Sequence, residues 1–225
     1  MIPLRDENPV RSTPVVTWAL LLSCVLVFLW QVSLGPPGFN RVVFALGVIP
    51  AVLLGHAHLP PEVALVPPGV TVFTSMFLHG SWMHLAGNML YLWIFGDNVE
   101  DRLGRLRFLL FYLACGTAAV FAQALPAPET RVPMVGASGA ISGILGAYLL
   151  MFPRARVLVL VPLGFILKVV RLPAVWVLGL WFLIQLVASL LAPADEGGVA
   201  FRAHLGGFVA GLVLAPLMLG KKLWR

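Results

Sequence analysis

Charge is scarce in this chain of 225 residues: 15 basic and 9 acidic side chains make up 11% of it, against roughly 25% in an ordinary soluble domain. So few charges cannot coat a water-facing surface, and 60% of the residues are apolar, with a mean hydropathy of +0.97. A soluble enzyme and a disordered chain are excluded on these grounds. The net charge of +6 would suggest nucleic-acid binding in a soluble protein, but here it asks first for a topological explanation. Cysteine is nearly absent as well. Cys24 and Cys115 sit inside apolar runs and read as small buried hydrophobes, with neither a disulfide framework nor a CxxC zinc signature around them. There is no HExxH, and His56 and His58 supply only two ligands in a loop, so no metal is implied. No organic cofactor is implied either. None of the carboxylates falls within a long apolar run, which leaves an intramembrane acid pair without candidates; Asp97 lies at a span end with no acidic partner inside the membrane.

What is abundant is apolar sequence in long charge-free stretches. A helix needs about 20 mostly apolar residues to cross the hydrocarbon core. Seven stretches are long enough, but 42–61 is divided by Pro50 and ends in His56-Ala57-His58-Leu59-Pro60-Pro61, which suits an interfacial or re-entrant loop. The run Val157–Leu167 is too short to span and is interrupted by Pro162, so it too reads as interfacial. Six spans are expected, at about 14–34, 82–99, 107–125, 135–152, 173–192 and 201–219. The expectation is an all-α polytopic membrane protein: an N-terminal segment over 1–13, a six-helix membrane domain over 14–219 with a long membrane-associated loop after the first helix, and a tail over 220–225. The N-terminus is too acidic for a transit peptide, and the first apolar run is too long for a signal-peptide core, so that run is expected to be a retained span. With the N-terminus inside, only Arg41, Arg131 and Arg202 fall outside, and the other 12 of the 15 basic residues are cytoplasmic, as short cytoplasmic loops prefer. A seventh span would throw the cluster Arg102, Arg105, Arg107 outside.

Polar side chains inside a membrane are costly and mark function by default. His84, Ser138 and His204 each lie a few residues into spans two, four and six, which all enter from the same side. At 1.5 Å per residue the three reach one depth, roughly 5–10 Å below the helix ends. Asn88 is four residues from His84, on the same helix face. Gln123 and Gln185 are further polar groups within spans. Span four carries Gly139, Gly143 and Gly146, and span six Ala203, Gly207 and Gly211; such small-residue stripes let helix backbones approach closely. If the stripes face one another, Ser138 and His204 come within hydrogen-bond reach. A serine beside a neutral imidazole is the minimal activated nucleophile.

The segments from His79 to Asn88 (His-Gly-Ser-Trp-Met-His-Leu-Ala-Gly-Asn), Gly136-Ala137-Ser138-Gly139, and Ala203-His204-Leu205-Gly206-Gly207 followed by Gly211 resemble those of rhomboid intramembrane serine proteases, as does Glu100-Asp101-Arg102-Leu103-Gly104. The resemblance runs in order from Pro14 onward. It implies a six-helix core that cleaves transmembrane protein substrates within the lipid bilayer by a Ser–His dyad, with Ser138 as nucleophile, His204 as general base, and His84 and Asn88 as oxyanion donors. It also suggests a bacterial inner membrane with both termini cytoplasmic. Gly136 is expected to let the chain bend at the helix start. Many members carry an aromatic four residues after the nucleophile, against the imidazole; here that position is Ser142. With no intramembrane Asp to complete a triad, packing is expected to orient His204. His79 reads as a loop-anchoring hydrogen bonder or a neighbour of the site. Trp176, Trp181 and Phe182 read as packing or lipid-facing residues, or as a lateral gate beside span two. Two rival functions are a catalytically silent rhomboid-like binding protein and a transporter. Retention of both Ser138 and His204 argues against the first. Polar groups confined to one half of the membrane argue against the second. Nothing in the sequence bears on oligomeric state.

Overall fold

A computed structural model describes residues 1–163, 166–191 and 199–220. Lys221, Lys222 and Arg225, assigned to the tail, lie outside the described residues. The architecture is a bundle of six long helices whose positions follow the apolar runs: α1 (Val15–Ser33), α5 (Trp82–Leu103), α6 (Arg105–Ala124), α7 (Ser138–Met151), α8 (Ala174–Leu191) and α9 (Phe201–Leu219). Four of them, α1, α6, α8 and α9, are individually long and apolar enough to cross a membrane. The other two depart from that pattern for visible reasons. α5 carries Asp97, Glu100, Asp101 and Arg102 in its last turns, and α7 has only 14 residues, Ser138–Met151. α7 is the central helix. Every residue from Gly139 through Tyr148 is buried, as expected of a helix that is apolar all round.

The long connection after α1 folds into three short helices, α2 (Gly35–Leu46), α3 (Pro50–Leu53) and α4 (Pro68–Thr74), each with proline in its first turn. Pro50, which divides the apolar stretch 42–61, starts α3 because proline is suited to the first helical position.

The reading of Val157–Leu167 as an interfacial loop is corrected. Arg156–Leu163 forms strand β2 and Ile166–Pro173 forms strand β3, paired antiparallel from Arg156↔Pro173 to Leu163↔Ile166. The N-terminal residues Ile2–Asp6 add a third strand, β1, on the other edge of β2, with Ile2 opposite Leu160 and Asp6 opposite Val157. Alternation explains the strands: Val157 and Val159 are fully buried, while Arg171 faces outward opposite Leu158. β-Branched residues on a half-buried pleated surface favour this arrangement.

The last turns of α5 hold the N-terminal segment. Glu100 is 1% exposed and accepts hydrogen bonds from Val16 N (2.9 Å), Thr17 N (2.7 Å) and Thr17 Oγ1 (2.8 Å). It thereby satisfies first-turn amides of α1 that have no intrahelical acceptor. Asp101 accepts from Ser12 N and Oγ in the same way.

Candidate active site

Ser138 is the first residue of α7, two residues after Gly136, whose φ of 129° lies where side chains with a Cβ are strained. The approach to that turn is pinned. Gly136 N donates to Ser75 O (2.9 Å), Met134 exchanges backbone hydrogen bonds with Val48 (2.7 and 2.9 Å), and Ala51 N donates to Thr130 O (3.0 Å). The Ser138 amide precedes the first closed turn of α7, so it is not used inside the helix.

His204 stands in the first turn of α9. Gln123 of α6 fixes that turn by accepting from Ala203 N (3.2 Å). The two glycine stripes face one another: a Cβ on Gly207 would overlap the carbonyl oxygen of Gly139, and one on Gly211 that of Gly143. Backbone contact between α7 and α9 brings His204 Nε2 to 2.8 Å from Ser138 Oγ. The imidazole is 9% exposed.

His84 and Asn88 sit on one face of α5, against Gly136. A Cβ at Gly136 would come within 2.7 Å of the His84 ring and 3.7 Å of Asn88 Nδ2. Gly80 N donates to His84 Nδ1 (3.4 Å), which leaves the proton of the neutral ring on Nε2, the nitrogen beside Gly136. Asn88 Nδ2 is buried with no hydrogen-bond partner among the described residues. Ser138, His204, His84 and Asn88 all line one cavity of about 590 Å³, so the four residues singled out by sequence converge. Among the described residues no group of three His, Cys, Asp or Glu side chains is placed to hold a metal ion.

Ser142, at the position where many members carry an aromatic, donates its hydroxyl to Ser138 O (2.7 Å) within α7. Orientation of His204 is not left to packing alone, because Gln185 Oε1 lies 2.6 Å from His204 Nδ1. Gln185 was visible as an uncharged polar residue in an apolar span, a signal that carried no partner with it. Trp181, one turn before Gln185 on α8, lies against the imidazole with ring centroids 5.9 Å apart, and Phe182 packs on Phe208 at 4.7 Å. Trp176 is exposed. His79 is buried outside the cavity lining, its ring 5.2 Å from that of His84. It anchors its loop through the backbone, donating to Gln31 Oε1 (3.1 Å) and accepting from Gln31 Nε2 (3.4 Å).

A family model of the rhomboid domain matches residues 69–221. The chain belongs to the rhomboid family. Among curated relatives, this rhomboid is 29% identical over 184 residues to the mitochondrial Rhomboid protein 1 of Saccharomyces cerevisiae, covering 78% of the chain and 50% of the yeast protein. It is 35% identical over 147 residues to Rhomboid protease GluP of Bacillus subtilis, covering 65% of the chain and 25% of GluP. With the putative rhomboid protease YdcA of the same bacterium it shares 31% identity over 151 residues, 66% of the chain and 69% of that protein. The chain thus spans half or less of the yeast protein and of GluP.

Proposed function

We propose that this rhomboid is an intramembrane serine endopeptidase, with Ser138 as nucleophile and His204 as general base. The observation that carries the reading is the 2.8 Å approach of His204 Nε2 to Ser138 Oγ inside a cavity. His204 takes the hydroxyl proton as Oγ attacks the scissile carbonyl, then returns it to the leaving amine; water repeats the sequence on the acyl-enzyme. The His84 Nε2–H, the Asn88 amide and the Ser138 backbone N–H are the donors for the developing oxyanion, held before reaction and sheltered from bulk water.

The cavity is lined by the His84 end of α5, whereas β1 docks on Asn98 near the other end of that helix. We assign the sheet end to the cytoplasm, on the basic-residue distribution, and the opening to the external half of a bacterial inner membrane. Substrates are membrane proteins whose transmembrane segments unwind near that face, since an intact helix uses its own carbonyls in hydrogen bonds and presents no extended bond.

The test is labelling of detergent-purified protein with a serine-directed fluorophosphonate, beside cleavage of a model single-span substrate. Ser138→Ala and His204→Ala should each abolish cleavage, and the double variant should be no worse, because the two act as a unit. Additive partial losses, or labelling that survives Ser138→Ala, would overturn the assignment. Gly or Pro placed in the external third of the substrate segment should speed cleavage, and Leu should slow it.

A further inference from the structure

We propose that Gln185 is a positioning residue, whose side-chain carbonyl holds the His204 imidazole in its Nδ1–H form and keeps the Nε2 lone pair on the Ser138 hydroxyl. The proposal rests on the Ser138–His204 reading above and deepens it. Both nitrogens of one ring are engaged at once, Nδ1 at 2.6 Å from Gln185 Oε1 and Nε2 at 2.8 Å from Ser138 Oγ. A neutral imidazole has one donor and one acceptor. A carbonyl oxygen only accepts, so it selects Nδ1–H, and Nε2 is left to receive the serine proton. The opposite tautomer would set two lone pairs against each other at 2.6 Å and point Nε2–H at Oγ, where it cannot act as a base.

No other described group does this. Ser142 is turned onto Ser138 O. Trp181, with its ring plane 35° from that of His204, limits how the imidazole tilts but does not distinguish its nitrogens. Trp181 and Gln185 are spaced i, i+4 and so share one face of α8. Phe182 seats the same helix on Phe208 of α9. α8 is otherwise sparsely buried, with only Ala174, Val177, Leu178 and Ser189 in that class. A neutral amide also suits the setting: it supplies the acceptor that a carboxylate would, without placing a charge in a membrane span.

The test compares Gln185→Leu, which removes the acceptor, with Gln185→Glu, which keeps an acceptor oxygen. Fluorophosphonate acylation and kcat for a model substrate should fall about 10- to 100-fold in Gln185→Leu, part of what a general base supplies. KM should stay within about twofold, since no substrate contact is removed. Gln185→Glu should recover most of the acylation rate. Nitrogen-15 NMR of histidine-labelled protein, with His204 assigned by difference against His204→Ala, should show Nδ1–H as the dominant neutral form in the native chain and its loss in Gln185→Leu. An Nε2–H imidazole in the native chain, or native acylation in Gln185→Leu, would overturn the proposal. If Gln185→Leu does not fold, the native NMR signature and the Gln185→Glu rate still decide it. Failure of the parent reading looks different: the native chain would not be acylated at Ser138 at all.

Discussion

On the proposed mechanism, two residues beside the Ser138–His204 pair have tasks that mutation can separate from nucleophilicity: they are His84 and Asn88, which face Gly136. His84→Ala and Asn88→Ala should each lower kcat by about 10²-fold, while fluorophosphonate labelling of Ser138 stays detectable. Gly136→Ala is more severe because it meets two obstacles together, a φ of 129° and a Cβ 2.7 Å from the His84 ring. It should abolish cleavage while the thermal unfolding midpoint falls only a few degrees, as read by a thiol-reactive dye reporting on the buried Cys24 and Cys115. At this scale the sequence was informative wherever a residue stood in an ordered motif; Ser138, His204, His84 and Asn88 all meet at one cavity. Gln185 was not legible in the same way. Its partner lies 19 positions away on another helix, and a glutamine in an apolar run has many ways to be satisfied. Ser142 announced that a common aromatic was missing, without saying which element would stand in for it.

Long apolar helices were legible as elements because membrane thickness sets their length, while the sheet was not. A short apolar run such as Val157–Val161 has no period that separates strand from buried loop, and one of its partner strands begins at Ile2, far away in sequence. The contact between β1 and the bundle also titrates. Asp6 accepts from Tyr148 OH (2.6 Å) and from Asn98 Nδ2 (3.0 Å), and Asn8 donates to Asn98 Oδ1. Burial, helped by the nearby Asp97, raises the Asp6 carboxyl to about 6 despite the Tyr148 hydrogen bond. A raised carboxyl means that the docked strand holds a proton which the undocked chain has already released. Docking should therefore weaken as pH rises through about 6 and be tighter at pH 5 than at pH 8. The mobility of a spin label at position 2 should increase over that range, and Asp6→Asn should flatten the response. Glu100 gives a sharper element-level test. Glu100→Ala strands three donors at the start of α1 and should cost about 2–3 kcal/mol, seen as a lower unfolding midpoint, whereas Glu100→Gln should recover much of the loss.

At the scale of the molecule, α7 and α9 approach through glycines whose replacement moves whole helices. Gly207→Val should drive the backbones apart at Gly139, destabilise the protein by about 3 kcal/mol or more and remove acylation of Ser138 even in molecules that remain folded. Accessibility of introduced cysteines gives the sidedness: position 129 should react with an impermeant reagent from outside intact cells, and position 154 only after permeabilisation. Labelling of 154 from outside would reverse the orientation. The strand pairing between Ile2–Asp6 and Arg156–Leu163 bears on this in a way that charge counting does not. Backbone groups that hydrogen-bond to each other occupy one side of a bilayer, so the chain between them must cross an even number of times. With α1, α5, α6 and α7 as the expected spans between the two strands, the count is four; counting the stretch 42–61 as another would make five and forbid the sheet. Three strands thus act as a parity check on insertion. Leaving any one of those helices out of the membrane during biosynthesis would strand Ile2–Asp6 across the bilayer from the β2 edge they pair with.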